Sequence, residues 1–125
     1  MQLVHEQPDF EFFLRGADGR SALVNDRLLT ASFIVAPDRL VEDWPVLDAA
    51  ALRPDDLAPL LALQPELILL GTGARQVFPP ADAQAACLSR GIGLESMANA
   101  AAARTYDVLA SEGRRVVAGF VIGKP

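Results

Sequence analysis

The sequence predicts one α/β domain in which parallel strands alternate with helices. In the second half of the chain, short apolar runs alternate with two longer segments of helical character, and a glycine follows each of them. Strands joined by helices in this order run parallel, and the helices cover the sheet. The 125 residues match the size of a single domain. We therefore predict one domain over residues 1–125.

The second half is predicted to contain three strands and two helices. The first strand is a continuous apolar run, which is typical of a strand covered on both faces. Asn99 is predicted to cap the second helix, and Gly91 and Gly113 are predicted to end the two helices. The segments are strands at 67–70, 92–95 and 116–122 and helices at 81–90 and 100–112.

The side chains of the second helix divide into two groups by helical spacing. One group is expected to face the sheet and consists of Ala102, Tyr106 and Leu109. The other group is expected on the far side and consists of Arg104, Asp107 and Ser111.

The first half of the chain is predicted to consist of strands and turns. Apolar and β-branched residues predict strands within 10–14 and 28–35, and turn residues occupy 17–19. Prolines then interrupt the pattern, which favours loops and one short strand. A short helix is predicted with Pro54 in its first turn and with Pro59 limiting its length.

Composition excludes several classes of function. A net charge of −5 and a pI near 4.7 disfavour a nucleic-acid partner, which requires a clustered basic face. The single cysteine, Cys87, cannot form an intramolecular disulfide, and burial in a helix predicts an inert thiol. The start of the chain lacks the pattern of a signal peptide, and the apolar runs are too short to span a membrane. We expect a soluble cytoplasmic protein with no cofactor and no metal.

The loop Gly71-Thr72-Gly73 is the segment that most resembles a binding site. Ligands of open α/β sheets bind beyond the carboxyl ends of parallel strands, and a glycine loop can offer backbone N–H groups to an anion. Gln76 stands where a dinucleotide-binding motif requires glycine, and the Gly-Lys-Ser/Thr of a phosphate-binding loop is absent. A tight turn without any ligand is the alternative interpretation.

Polar residues that follow the second parallel strand are expected to face the same loop. Glu95 could act as a general base or as a structural ion pair, and Ser96 lacks the glycine elbow of serine hydrolases. Arg104 could bind an anion or pair with Asp107 on the helix surface. The candidate ligand-binding residues are Gly71, Thr72, Gly73, Arg75, Glu95, Ser96, Asn99 and Arg104. His5, the only histidine, is too isolated for a catalytic triad or a metal site.

Three segments resemble the adipogenesis-associated methanobacterial-type domain family, which includes a mitochondrial complex I assembly factor. They are residues 67–73 (LILLGTG), 91–97 (GIGLESM) and 104–115 (RTYDVLASEGRR). The family pattern has Glu-x-Met-Asp-Thr before the long helix and Arg-Thr-Tyr-Asn within it. Here Ala98 replaces the aspartate, Asn99 the threonine and Asp107 the asparagine.

The resemblance implies a three-layer α/β fold with a mixed, partly parallel central sheet and no established enzyme activity. For one branch of the family it also implies an assembly role on a membrane complex. The function expected on this basis is a non-enzymatic protein-interaction or assembly factor with an unidentified protein partner. The alternative is a protein or enzyme that binds a small anionic molecule in the crevice at Gly71–Gly73.

Overall fold

A computed structural model describes residues 10–123 of the chain. His5 lies outside these residues. The strands are β1 (Leu14–Ala17), β2 (Ala22–Val24), β3 (Arg27–Leu29), β4 (Phe33–Ala36), β5 (Arg39–Val41), β6 (Leu67–Gly71), β7 (Gly93–Met97) and β8 (Val116–Phe120). The α-helices are α1 (Ala58–Leu61), α2 (Ala81–Leu88) and α3 (Asn99–Ser111), and 3-10 helices occupy Ala49–Ala51 and Pro54–Leu57.

The central sheet is mixed, as predicted. Its five strands follow the order β5-β4-β8-β6-β7. The strands β8, β6 and β7 are parallel, and β4 runs antiparallel to both β8 and β5. In β6, Ile68 and Leu70 pack into one core while Leu69 packs into the other. The continuous apolar run of β6 therefore reflects a strand with both faces covered.

The predicted three-layer arrangement is confirmed, with a second sheet as part of one outer layer. On one face of the central sheet lie α3 and a small antiparallel sheet, β1-β2-β3. On the other face lie α1, α2 and the two 3-10 helices. Among the described residues no helix is long and apolar enough to cross a membrane.

The first half of the chain differs from the prediction in its strand boundaries. The strand expected within 10–14 begins only at Leu14, and the run 28–35 is divided between β3 and β4. Ser32 lies at the break, where its hydroxyl donates to Val46 O at 2.5 Å and accepts from Ile122 N–H at 2.8 Å. These hydrogen bonds join Ser32 to residues that are distant in sequence. The local sequence therefore could not indicate that one apolar run contributes strands to two sheets.

The elements of the second half are close to the predicted ones. Helix α2 and strand β8 end earlier than expected, and β7 begins and ends later. Gly91 and Gly113 have φ of 73° and 79°, which suits glycines that end helices. The thiol of Cys87 is buried within α2, and this burial raises its pKa.

Two neighbouring side chains of helix α3 form hydrogen bonds with β1 and with the segment just before it. The Tyr106 hydroxyl donates to Phe12 O at 2.8 Å, and Asp107 Oδ1 accepts from Leu14 N–H at 2.9 Å. Burial raises the pKa of Asp107, and the hydrogen bond from Leu14 opposes this effect. The described ion pairs do not include a pair between Arg104 and Asp107. The Asp107 carboxylate therefore serves mainly as the hydrogen-bond acceptor for a backbone N–H group.

Asp107→Asn is expected to become more stable, relative to the natural chain, as pH rises from acid to neutral. A carboxyl whose pKa is raised by folding favours the folded state when protonated, and this stability is lost as pH rises through the raised pKa. Asparagine keeps an acceptor for Leu14 N–H without the charge. Because Asp107 is only half-buried, solvent screens its charge, and we expect a gain at neutral pH below about 1 kcal/mol.

Urea unfolding of both chains across this pH range tests the prediction. A difference in unfolding free energy that does not grow with pH would contradict it. Asp107→Ala is the control, because it leaves the Leu14 N–H without its acceptor and should cost about 1–2 kcal/mol.

Candidate functional site

The glycine loop lies at the carboxyl end of β6, next to the end of β7. Gly71 is opposite Met97 in the parallel register, and Thr72 N–H donates to Met97 O at 2.9 Å. Leu70 is opposite Ser96, so Thr72 and Ser96 lie at the same end of the sheet. The prediction that β6 and β7 are parallel neighbours is confirmed.

Asn99 holds the loop in place and does not cap α3. It is fully buried, and its Oδ1 accepts from Gly73 N–H at 3.1 Å. Its Nδ2 donates to Asp18 O at 2.9 Å and to Val121 O at 3.0 Å. The backbone N–H of Asn99 donates to Gly73 O at 2.8 Å. The side chain thus joins the glycine loop, the β1–β2 turn and the end of β8.

The N-cap of α3 is Ala98, so the prediction that Asn99 caps the helix is wrong. Ala98 has the extended conformation of a cap but provides no side-chain hydrogen bond. The amide of Asn99 is instead committed to three backbone partners in the core. Helix α3 therefore begins beside the loop as expected, but without a side-chain cap.

Substitution of Ala98 by serine or aspartate is expected to stabilise the chain by about 1 kcal/mol. Either side chain can accept a hydrogen bond from the first turn of α3, and aspartate also interacts favourably with the helix dipole. Thermal unfolding measures the effect as a rise in Tm of a few degrees. Ala98→Val is the control and should give no rise, and a failure of both polar variants would contradict the prediction.

The backbone N–H groups of Thr72 and Gly73 are already hydrogen-bonded within the fold. Thr72 N–H donates to Met97 O, and Gly73 N–H donates to Asn99 Oδ1. The Thr72 hydroxyl donates to Arg75 O at 2.6 Å and accepts from Val77 N–H at 3.1 Å. The expectation that the loop offers free N–H groups to an anion is therefore wrong for Thr72 and Gly73.

A shallow crevice of about 280 Å³ opens beside the loop. Of the predicted residues, Thr72, Gly73 and Arg75 line it. Its other wall comes from the turn at Gly19, the segment after β5 and the end of β8, through residues that include Leu47, Asp48, Ala49 and Val121. We define the crevice by these residues and call it the glycine-loop crevice.

The remaining predicted residues lie elsewhere. Gly71 is buried behind the loop, and Asn99 is buried beneath it. Glu95 is exposed on β7, and the Ser96 hydroxyl accepts from Gln76 Nε2 at 3.0 Å. Arg104 lines a separate depression between β1 and α3. The geometric expectation that Arg104 lines the glycine-loop crevice is wrong, while ligand binding by any of these residues stays a prediction.

Sequence reasoning did not identify the segment 47–49 or the turn at Gly19 as walls of the crevice. Both reach it through long-range packing, and Gly19 lies so close to Ala74 that an added Cβ would stand 2.9 Å from the Ala74 Cβ. The Asp18-Gly19 pair indicated a turn but gave no sign of the surface it would contact.

Comparison with known proteins defines the family of the chain. The family model described as a protein of unknown function (DUF498/DUF598) matches residues 14–121. The chain belongs to this family. A Bordetella pertussis structure described as an Mth938-like domain shares 29% identity and a TM-score of 0.79, covering 97% of this chain and 92% of its own. The resemblance to methanobacterial-type domains is thereby confirmed.

Two other solved structures are similar over nearly the whole chain. A Xanthomonas campestris protein has 58% identity and a TM-score of 0.83, with 98% of this chain and 93% of that chain covered. A Bordetella parapertussis protein has 33% identity and a TM-score of 0.83, with 89% and 95% covered. These structures share the fold.

Two curated relatives match a shorter stretch of the DUF498/DUF598 chain. A Francisella tularensis protein named "13 kDa major membrane protein" is 35% identical over 69 residues, which are 55% of this chain and 56% of that protein. An uncharacterised Rhodobacter capsulatus protein is 46% identical over 69 residues, 54% of this chain and 56% of that protein. The match thus spans about half the length of each relative.

Proposed function

We propose that this DUF498/DUF598 protein is a non-enzymatic protein-binding domain that serves in assembly, and that its partner docks beside the glycine-loop crevice. The observation that carries the proposal is Phe78, whose side chain is 75% exposed. An exposed aromatic side chain gains much from burial at an interface, and aromatic anchors dominate binding energy there.

The loop that carries Phe78 is held in a defined conformation. Val77 N–H donates to the Thr72 hydroxyl, and Gln84 Nε2 donates to Pro79 O at 3.0 Å. Pro79 and Pro80 follow Phe78 directly, and proline restricts the backbone further. Because the loop is already ordered, docking of a partner costs little conformational entropy.

A second apolar side chain extends this surface. Leu47 is 56% exposed and lines the glycine-loop crevice together with Val77. Asp48 and Arg75 line the same crevice and supply polar groups beside the apolar ones. Apolar contacts with polar groups around them are typical of protein interfaces. We define the docking surface as Leu47, Val77 and Phe78.

The polar groups near the crevice support a binding role over catalysis. The side chains of Thr72 and Asn99 both hold backbone groups of the loop, as described above. A nucleophile or general base must instead present its polar atom to substrate. Because the side chains of Thr72 and Asn99 hold the backbone of the loop, they agree with a surface that binds a partner without catalysing a reaction.

An assembly role in the cytoplasm is the specific form of the proposal. The resemblance to a family with an assembly-factor branch supports the role, and a single buried thiol in a fold without disulfides suits a reducing compartment. Cell fractionation tests the location. Deletion of the gene, followed by measurement of respiratory complex levels, tests the assembly role, and unchanged levels would count against it.

The docking surface is tested by photo-crosslinking in the source cell. A crosslinker at position 78 should capture a discrete protein, and the double variant Leu47→Ala/Phe78→Ala should weaken the interaction of purified chain and partner roughly a hundredfold. Leu28→Ala is the matched control, because Leu28 is 65% exposed on β3. Equal binding by the double variant and the control would reject this surface.

A small anionic ligand in the glycine-loop crevice is the second candidate function. Arg75 is exposed on the crevice wall, and the N–H groups of Ala74, Arg75 and Gln76 form no hydrogen bond within the described part of the chain. Thermal-shift measurements with anionic metabolites test it, since a ligand at 100 times its Kd adds about 2.7 kcal/mol. A shift that Arg75→Gln leaves unchanged would refute this site.

A further inference from the structure

A second depression, of about 290 Å³, lies between β1 and α3 and is separate from the glycine-loop crevice. Small residues form much of its surface, and two arginines, Arg15 and Arg104, stand beside them. The small residues are Gly16, Ala17, Ala100 and Ala103. We infer that this depression binds the phosphate group of a small molecule through Arg15 and Arg104.

Backbone geometry explains why both arginines reach the same depression. On α3, Arg104 lies four residues after Ala100 and three before Asp107, a spacing that places these residues on one helix face. On β1, the register passes from Leu14 opposite Val24 to Gly16 opposite Leu23. Arg15 thus lies at a bulge, and bulges redirect side chains at the edge of a sheet.

The two guanidinium groups are available for a ligand. Within residues 10–123, no ion pair involves Arg104. Arg15 contacts Asp26 at 3.5 Å, but that carboxylate is 97% exposed, and such pairs contribute little. Asp107 is the acidic residue of the depression, and its Oδ1 already accepts from Leu14 N–H. Of the residues that line the depression, two are positively charged and one, Asp107, is negatively charged.

Phosphate is the ligand chemistry that fits this arrangement. Guanidinium groups donate paired hydrogen bonds to phosphate oxygens, and two of them can balance a dianion. Glycine and alanine leave room for the ligand to approach the backbone closely. The volume is slightly below the range of about 300–1,000 Å³ that is typical of small-molecule sites. A phosphorylated metabolite of a few carbons suits this volume, and a dinucleotide does not.

Phosphate could come from a free metabolite or from a lipid headgroup. The net charge of −5 opposes approach to an anionic membrane surface. We therefore favour the free metabolite, and the experiment includes one arm for each source.

Titration of the 125-residue chain with inorganic phosphate, followed by amide NMR at constant ionic strength, tests the site. Saturable shifts are expected at Gly16, Ala17, Ala100 and Ala103. Arg15→Gln and Arg104→Gln should each weaken the apparent affinity roughly tenfold or more. Arg39→Gln is the matched control, since Arg39 is exposed on β5 at the far edge of the central sheet, and it should bind as the natural chain does.

Sedimentation with phosphatidylcholine vesicles, with and without phosphatidic acid, distinguishes the sources. Phosphate binding without vesicle association assigns a free metabolite, whereas association that needs phosphatidic acid and both arginines assigns a lipid headgroup. Absence of binding in both arms overturns the inference. So do shifts that Arg104→Gln leaves unchanged, or shifts centred on residues 74–76, which would place the anion in the glycine-loop crevice instead.

Discussion

Asn99→Asp is expected to destabilise the chain by about 4 kcal/mol, although the two side chains have nearly the same shape. The carboxylate can still accept from Gly73 N–H. Its second oxygen, however, would face Asp18 O and Val121 O, which accept from Nδ2 at 2.9 and 3.0 Å in the natural chain. A buried charge beside two unpaired carbonyl oxygens is costly, and urea unfolding would measure the loss.

The pH dependence of this variant distinguishes the cost of burying a charge from the cost of altered packing. The surrounding carbonyl groups and the burial both disfavour the ionised form, so folding should raise the pKa of the introduced carboxyl. The destabilisation should then shrink as pH falls, because the protonated carboxyl can donate one hydrogen bond. Gln76→Ala removes an exposed side-chain bond to Ser96 and should cost less than about 0.5 kcal/mol. A comparable effect of the two variants would contradict our account of Asn99.

The parallel part of the sheet could be predicted from sequence because its signals are local. The apolar run of β6 shows that both faces of the strand are covered, and Ile68 and Leu69 do pack into opposite cores. Gly113 ends α3 with a positive φ that glycine adopts readily. By contrast, β4 pairs with β8, a strand from the far end of the chain, and Phe33 stands opposite Phe120 with the centroids of their stacked rings 5.0 Å apart. Sequence spacing gives no indication of that pairing.

The candidate site could be located from sequence but not described in detail. Two glycines after a buried strand identified the loop, and β6 and β7 do place it beside Ser96. The position of Asn99 before a helix suggested a cap, since local propensity favours that role. Its actual hydrogen-bond partners, Asp18 and Val121, lie 81 and 22 residues away in the chain. A buried side chain shared by three segments is therefore a tertiary feature that local propensity cannot reveal.

Gly119→Ala is expected to destabilise the chain by about 3 kcal/mol, at the upper end of the usual cost of overpacking. Gly119 lies in β8, and an added Cβ would stand 2.7 Å from two carbons of the Trp44 ring and 3.3 Å from Leu60 Cδ2. The ring cannot move away easily, because it is buried and its Nε1 donates to Asp56 O at 2.9 Å. Chemical unfolding should show the loss as a lower midpoint with an unchanged slope.

A double-mutant cycle with Trp44→Phe identifies the contact responsible. Phenylalanine removes the ring atoms that the new methyl would strike, so Gly119→Ala should cost at least about 1 kcal/mol less in that background. Gly93→Ala is the matched control, because Gly93 also lies in a strand of the central sheet but an added Cβ there meets nothing within 4 Å. It should change stability by less than about 0.5 kcal/mol. If the cost of Gly119→Ala is the same with either ring, Trp44 does not determine the need for glycine.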